Sequence, residues 1–313
     1  MPKRPNPWHW AYSYSSLLNV LGEHQLRHAL RYGRLVQPWR GVVIPRERMG
    51  DPKTMASAAL IAIGPGAVLS GFTAAAMYGC SAADTRRVHV TVPTARLPRS
   101  RPGLLVKHAA FGPEDVVELD DLPVLAPEIV FAELLCTGPR PTALACADQL
   151  MRTLPEDLRP AFQKHLRERL DKRVDRRGVA GALAMVELIT ERAETAEESA
   201  LRLLVVDAGL PAPEVRHDVP GGPRVPLAWP ELGIALGYRD PGRHPPEVAR
   251  ELAQDTGQDR RLTELGWTGV WAGPADLRDP TALTTRLRAV FRRKGCDQVG
   301  PSPEHGRVRR SLT

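Results

Sequence analysis

One stretch sets the strongest limit on what the last third of this 313-residue chain can fold into: R-V-P-L-A-W-P-E-L-G-I-A-L-G-Y-R-D, running from Arg224 to Asp240. Val225 to Trp229 and Gly233 to Arg239 have the composition of two strands, and Pro230-Glu231 supplies the turn between them. A helix is predicted before the hairpin, from Glu194 to Ala208. Another, of mixed charge, is predicted after it, from Pro246 to Leu265, and a short apolar strand follows at Gly266 to Trp271. Helix, hairpin, helix and strand in this order describe a layered α/β unit rather than a bundle or a sandwich.

That order, with A-E-T-A-E-E-S-A-L-R-L-L-V-V-D-A-G-L-P-A-P-E-V at 193–215, L-A-W-P-E-L at 227–232 and L-G-W at 265–267, resembles the C-terminal nuclease-like domain of a family of bacterial proteins. The resemblance implies the PD-(D/E)XK restriction-endonuclease fold, related to the very-short-patch-repair endonucleases. It also implies a set of acids, because such an enzyme holds a divalent ion through carboxylate oxygens and uses it to activate water. At the matching positions this chain has Pro226, Gly237 and Arg239. Gly237 and Arg239 are two apart and share a strand face, so that face offers one fixed positive charge and no carboxylate. Asp240 lies on the opposite face and is no simple substitute. Glu198 survives from the family's acids, and Asp255 matches another, although Gln258 stands where the family has an arginine. One expectation follows: Arg239 reaches Glu198 and neutralises it in place of a cation. The alternative is an Arg239 that points to solvent.

The N-terminal segment has a different pattern. Ser15 to Leu21 and Glu23 to Tyr32 are helical in composition, Gly22 separates them, and Gly33 ends the second. Arg34 to Ile44 then has the pattern of strand, tight bend and strand. Helix, turn, helix and two-stranded wing is the layout of a winged helix-turn-helix. Such a module places Gln25, Arg27, His28 and Arg31 near base edges or phosphates, with Arg34 and Arg40 on the wing against the backbone. A helical hairpin with solvated arginines is the plainer alternative. Gly-Arg-Leu-Val at 33–36, Arg-Gly-Val-Val at 40–43 and the run Gly64 to Gly79 are similar to antitoxins and regulators of the AbiEi type found in actinobacteria. That resemblance implies DNA binding. Ser70 and Thr73 there fit the start of a short buried helix, Ala74 to Tyr78, and without a histidine base they make no nucleophile site.

Between these ends, residues 86–126 alternate apolar and polar and read as a small sheet, and 127–191 read as helices. His89 and His108 lack partners at ligand spacing. Arg173, Arg176 and Arg177 form a secondary candidate phosphate patch in a run of mixed charge whose default is a solvated face. Glu247, Glu251, Asp255 and Asp259 fall four apart on the last predicted helix and read as a solvated acidic face.

The expected architecture is α+β and multidomain. A winged helix-turn-helix with an N-terminal arm occupies 1–47, and a β-rich middle region followed by helices occupies 48–191. A degenerate nuclease-like domain follows at 192–294, then a disordered basic tail at 295–313 that carries Arg307, Arg309 and Arg310. A net charge of +7 suits a polyanionic partner. Cys80, Cys136, Cys146 and Cys296 lack zinc spacing and read as reduced thiols of a cytoplasmic protein. The start is basic with no long apolar run after it, so neither a signal peptide nor a membrane span is expected. Two functions compete. One is a DNA-binding regulator of antitoxin type, without cofactor, whose partners are duplex DNA and, as a further candidate, a second protein or a second copy. The other is a metal-dependent endonuclease using Glu198, Asp240 and Asp255.

Overall fold

The computed structural model describes residues 9–96, 98–240 and 257–296. It is an α+β structure that divides into two compact units, Met1–Glu187 and Leu188–Thr313.

The first unit begins with β1 (Tyr12–Ser13), α1 (Tyr14–Arg31), β2 (Leu35–Val36) and β3 (Val42–Pro45), whose strands form one antiparallel sheet in the order β1-β3-β2. Ser13 caps α1, its hydroxyl accepting from the Ser16 amide at 3.1 Å. Gly22 breaks the helix into two limbs at φ 76° and ψ 160°, a conformation closed to most side chains. The break lets Leu17 of the first limb and Leu26 of the second close on Val43 of the sheet, with Tyr12, Tyr14, Leu18, Leu21, Leu30 and Leu35 around them.

Next comes α2 (Pro52–Ile63), started by Asp51, whose carboxylate accepts from the Thr54 amide at 2.8 Å. Its small side chains Ala56, Ala58 and Ala59 are fully buried, so neighbouring elements approach it closely. It packs on β3 and also on β5 (Val88–Val92), which makes it the shared layer between the small N-terminal sheet and a larger one. The larger sheet runs β6-β5-β4-β8-β7, with β4 at Val68–Leu69, β6 at Leu104–His108, β7 at Val116–Leu119 and β8 at Leu122–Leu125. Four of these strands lie where the alternation of 86–126 predicts them. The central one, β4, lies earlier, in the run Gly64 to Gly79, outside the stretch read as a sheet. Helices α3 (Gly71–Met77), α4 (Pro127–Thr137), α5 (Arg140–Thr153), α6 (Arg159–Asp171) and α7 (Val179–Val186) complete the unit.

The second unit opens with α8 (Ala196–Asp207), followed by β9 (Glu214–Asp218), β10 (Arg224–Trp229) and β11 (Ile234–Tyr238). The hairpin turn is a 3₁₀ turn at Pro230–Leu232 closed by Gly233 at φ 59°. Residues 257–264 are helical (α9), then come β12 (Thr268–Ala272), α10 (Pro274–Arg278) and α11 (Thr281–Arg293). The sheet order is β12-β11-β10-β9, antiparallel except for the β11–β12 pair, which is parallel.

Period-two alternation divides this sheet into two faces. Leu227, Trp229, Ile234, Leu236, Val270 and Ala272 pack with Leu201 and Val205 of α8 and with Leu283, Leu287, Val290 and Phe291 of α11. Ala228 and Ala235 point the other way, to Leu262 of α9 and to Trp267 and Trp271. Burying each large aliphatic or aromatic side chain contributes about 1.5–3 kcal/mol.

Candidate functional site

The second limb of α1 turns its leucines inward and leaves a polar ridge outside. With Leu26 wholly buried and Leu30 against the same core, His24, Arg27, His28 and Arg31 fall at i, i+3, i+4 and i+7 and all are exposed, as is Gln25. Arg27 pairs with Glu23 one turn back at 2.5 Å. The His28 ring lies 4.3 Å from that of Tyr32, which is 66% exposed for a large aromatic.

Gly33, at φ 67°, reverses the chain after the helix. Its carbonyl accepts from Arg46 Nε at 2.7 Å, and a Cβ on it would stand 3.0 Å from Arg46 Nη2. The β2–β3 hairpin then leaves Arg34 and Arg40 exposed. Beside Arg40, Trp39 is buried and its Nε1 donates to the Pro102 carbonyl at 3.0 Å. One residue of the hairpin tip is therefore fixed to the body of the unit while its neighbour presents a guanidinium to solvent. Arg46 and Trp39, which hold this surface, are positions the sequence analysis did not single out.

In the second unit, Leu227 stands opposite Leu236 and Ala228 opposite Ala235. Continuing that register puts Pro226 opposite Gly237. Gly237 is the parallel partner of Trp271, and a Cβ at Gly237 would meet the indole at 2.3 Å. Arg239, two residues on, lays its guanidinium 3.6 Å above the Trp271 ring centroid. It also makes a two-pronged pair with Asp259, both contacts at 2.9 Å, and Trp271 Nε1 donates to the same carboxylate at 2.7 Å.

The expected Arg239–Glu198 pair is therefore corrected to Arg239–Asp259. The reason is the pleat: Arg239 follows Gly237 onto the face covered by α9, whereas α8 packs on the other. Asp259 is likewise no solvated acid, but the partner of an arginine and an indole. Glu198 is buried and serves its own helix. Its amide donates to Thr195 Oγ1 at 3.1 Å and its Oε2 accepts from the Glu194 amide at 2.8 Å. Burial raises the Glu198 pKa above its ordinary value, against the opposing pull of hydrogen bonds from the Glu194 and Thr195 backbone and of Arg216. Asp240 is half-buried beyond β11; Asp255, with Glu247 and Glu251, lies outside the described residues. A proline, a glycine, an indole and a paired arginine do not fit a magnesium ion that needs several oxygen ligands. Among the described residues, no group of three or more histidines, cysteines or acids is arranged to hold a metal.

Residues 66–191 match the AbiEi antitoxin C-terminal domain. The uncharacterized Mycobacterium tuberculosis proteins Rv2248 (strain H37Rv) and MT2308 (strain CDC 1551) are each 30% identical to this chain over 268 residues, which is 84% of this chain and 94% of theirs. The chain belongs to the Rv2248 family and carries an AbiEi antitoxin domain. A crystal structure of the RV2827C protein from Mycobacterium tuberculosis superposes with a TM-score of 0.40 at 18% identity, covering 61% of this chain and 74% of that one. That likeness is too loose to carry an argument.

Inside the AbiEi domain the arginines of the candidate phosphate patch bond to their own loop and to Glu133, with Arg173 half-buried and Arg176 and Arg177 exposed. Arg173 Nη1 donates to Glu133 at 2.7 Å and its Nε to the Asp175 carbonyl at 3.0 Å. Arg176 donates to the Asp171 carbonyl at 2.9 Å, and Arg177, though exposed, is clasped by Asp175 at 2.7 Å. These arginines fix the loop between α6 and α7. Ser70 sits at the N-cap of α3 without a side-chain capping bond, and Thr73 Oγ1 accepts from the His89 amide at 2.8 Å, tying α3 to β5. His89 is half-buried and desolvation lowers its pKa; His108 lies at hydrogen-bond distance, 3.1 Å, from the Pro98 carbonyl. Among the described residues no helix is long and apolar enough to cross a membrane.

Proposed function

We propose that this chain is a DNA-binding regulator of the antitoxin type, cytoplasmic, whose second unit keeps a PD-(D/E)XK-like outline without nuclease chemistry. The observation that carries the proposal is the outward ridge on the second limb of α1. Gln25, Arg27, His28 and Arg31 project from one exposed side, and Arg34 and Arg40 flank it on the hairpin. A winged helix-turn-helix would set such a limb in a major groove about 12 Å wide, where arginine suits guanine and glutamine suits adenine. Its wing arginines would meet phosphates. The AbiEi domain supports a regulatory role of the toxin–antitoxin kind and makes a protein partner, or a second copy of the chain, a further expectation. The order α8, β9, β10, β11, α9, β12 supports the nuclease-like outline.

The test is equilibrium binding of the full chain to a pool of random duplexes, followed by sequencing of the retained fraction. Enrichment of one motif, lost in R27A/R31A, supports the proposal. Retention without enrichment, unchanged in R27A/R31A, removes it. The competing endonuclease needs Glu198 to coordinate an ion, and the capping role of that carboxylate opposes it.

A further inference from the structure

Helix α11 carries a charge pattern that the proposed N-terminal site does not use. From Thr281 to Cys296 the chain has five cations, Arg286, Arg288, Arg292, Arg293 and Lys294, and no acid. The apolar side of α11 is fixed: Leu283, Leu287, Val290 and Phe291 are buried, and Phe291 packs edge-on to Trp229 at 4.9 Å between ring centroids. Three of the cations have work inside the unit. Arg288 donates to the Ala208 carbonyl at the end of α8 at 2.8 Å, Lys294 to the Gly266 carbonyl at 3.1 Å, and Arg286 to Asp276 at 2.9 Å. Arg292 and Arg293 are exposed, and among the described residues no acid pairs with them. Arg288 and Arg292 are also four apart, an arrangement in which like charges repel. The negative end of the helix dipole offsets part of that repulsion within its last turn, but it is a fraction of one charge against three adjacent cations.

We propose that the end of α11 is a second nucleic-acid contact, in which Arg292 and Arg293 meet phosphates of a duplex backbone without reading sequence. This rests on the reading of the chain as a DNA binder, because that reading supplies the phosphates a second cationic surface would take up. A rigid helix face with two solvated guanidiniums suits phosphate, which arginine grips with two parallel hydrogen bonds. Each phosphate contact releases condensed counterions, so the contact is visible in the salt dependence of binding.

The experiment measures binding of one duplex by the full chain at several salt concentrations, for the wild type, R292A/R293A, R292K/R293K and R27A/R31A, each checked for cooperative unfolding. R292A/R293A is expected to make the slope of log affinity against log salt shallower by about 2, at roughly 0.9 per phosphate lost, with R292K/R293K keeping the wild-type slope. A slope unchanged in R292A/R293A overturns the inference. So does capture of phosphatidylserine vesicles that depends on these arginines while the duplex slope stays fixed, which assigns the face to a membrane surface instead. R27A/R31A separates the two readings: if it leaves binding intact, the N-terminal site fails, and the R292A/R293A slope still decides the fate of α11.

Discussion

Gly237 lies against the six-membered ring of the Trp271 indole, so close that a Cβ at position 237 would stand 2.3 Å from Cζ3. With Arg239 stacked on the same indole and gripping Asp259, the strand face that a metal nuclease would line with acids is closed by a packed aromatic and an ion pair. Placing an acid there means displacing a tryptophan. Gly237→Ala is expected to lower the stability of the second unit by about 1–3 kcal/mol through overpacking. Gly237→Asp is expected to cost at least as much and to give no magnesium-dependent cleavage. Urea unfolding monitored at the tryptophans and a plasmid-nicking assay measure the two effects. Unchanged stability in Gly237→Ala would contradict the packing described.

The Arg239–Asp259 pair is expected to couple measurably. The pair is two-pronged and partly screened from solvent, with the side chains 26% and 39% exposed. A double-mutant cycle of Arg239→Ala and Asp259→Ala should give an interaction of about 1–2 kcal/mol. The same cycle on Arg239 and Glu198→Ala should give close to none. A coupling of Arg239 to Glu198 rather than to Asp259 would reverse the assignment.

The two limbs of α1 and the β2–β3 hairpin were legible because their punctuation is local, whereas β1, inside the expected N-terminal arm, was not. Gly22 and Gly33 stand where the chain needs positive φ, and the leucine spacing between them fixes which side is buried. The β10–β11 hairpin was legible for the same reason, its turn being written in Pro230 and Glu231, although Gly233, read as the start of the second strand, closes the turn instead. The partner of Arg239 was not, because Asp259 is twenty residues away and a strand face identifies neighbours only when the covering helix is known. Trp271 carried the available signal: in a parallel pairing of β11 with β12, the bare position at Gly237 calls for a large side chain across from it. β4 escaped because two residues are too few to show alternation.

Trp39 ties the hairpin of the N-terminal module to the Pro102 carbonyl of the middle region, and α2 packs against both sheets. Trp39→Phe should lower the stability of the first unit by about 1 kcal/mol, for the lost hydrogen bond, and Trp39→Ala by about 3–5 kcal/mol, for the cavity. A fragment ending at Gly50 lacks both supports and is expected to show no cooperative thermal transition. A sharp transition in that fragment would show that the module is self-sufficient.

Glu198 gives a pH-dependent signature with a definite sign. Burial holds its folded-state pKa above the usual 4.5, so the folded chain keeps a proton that the unfolded chain has released. Its ionisation therefore begins to lower stability as pH rises past the unfolded value, and the effect is complete above the folded pKa. Glu198→Gln keeps an acceptor for the Glu194 amide and removes the ionisation. The stability of Glu198→Gln minus that of the wild type should rise with pH across that window and then level off. A difference that falls with pH would mean that a positive neighbour, and not burial, governs this carboxylate.

The most direct measurement is titration of a selected duplex with the full chain at 50–200 mM salt in magnesium or manganese, following binding and strand integrity together. The account predicts salt-sensitive binding, weakened about tenfold or more in R27A/R31A, with the DNA left whole. Cleavage that disappears in Glu198→Ala, or binding indifferent to Arg27 and Arg31, would contradict it.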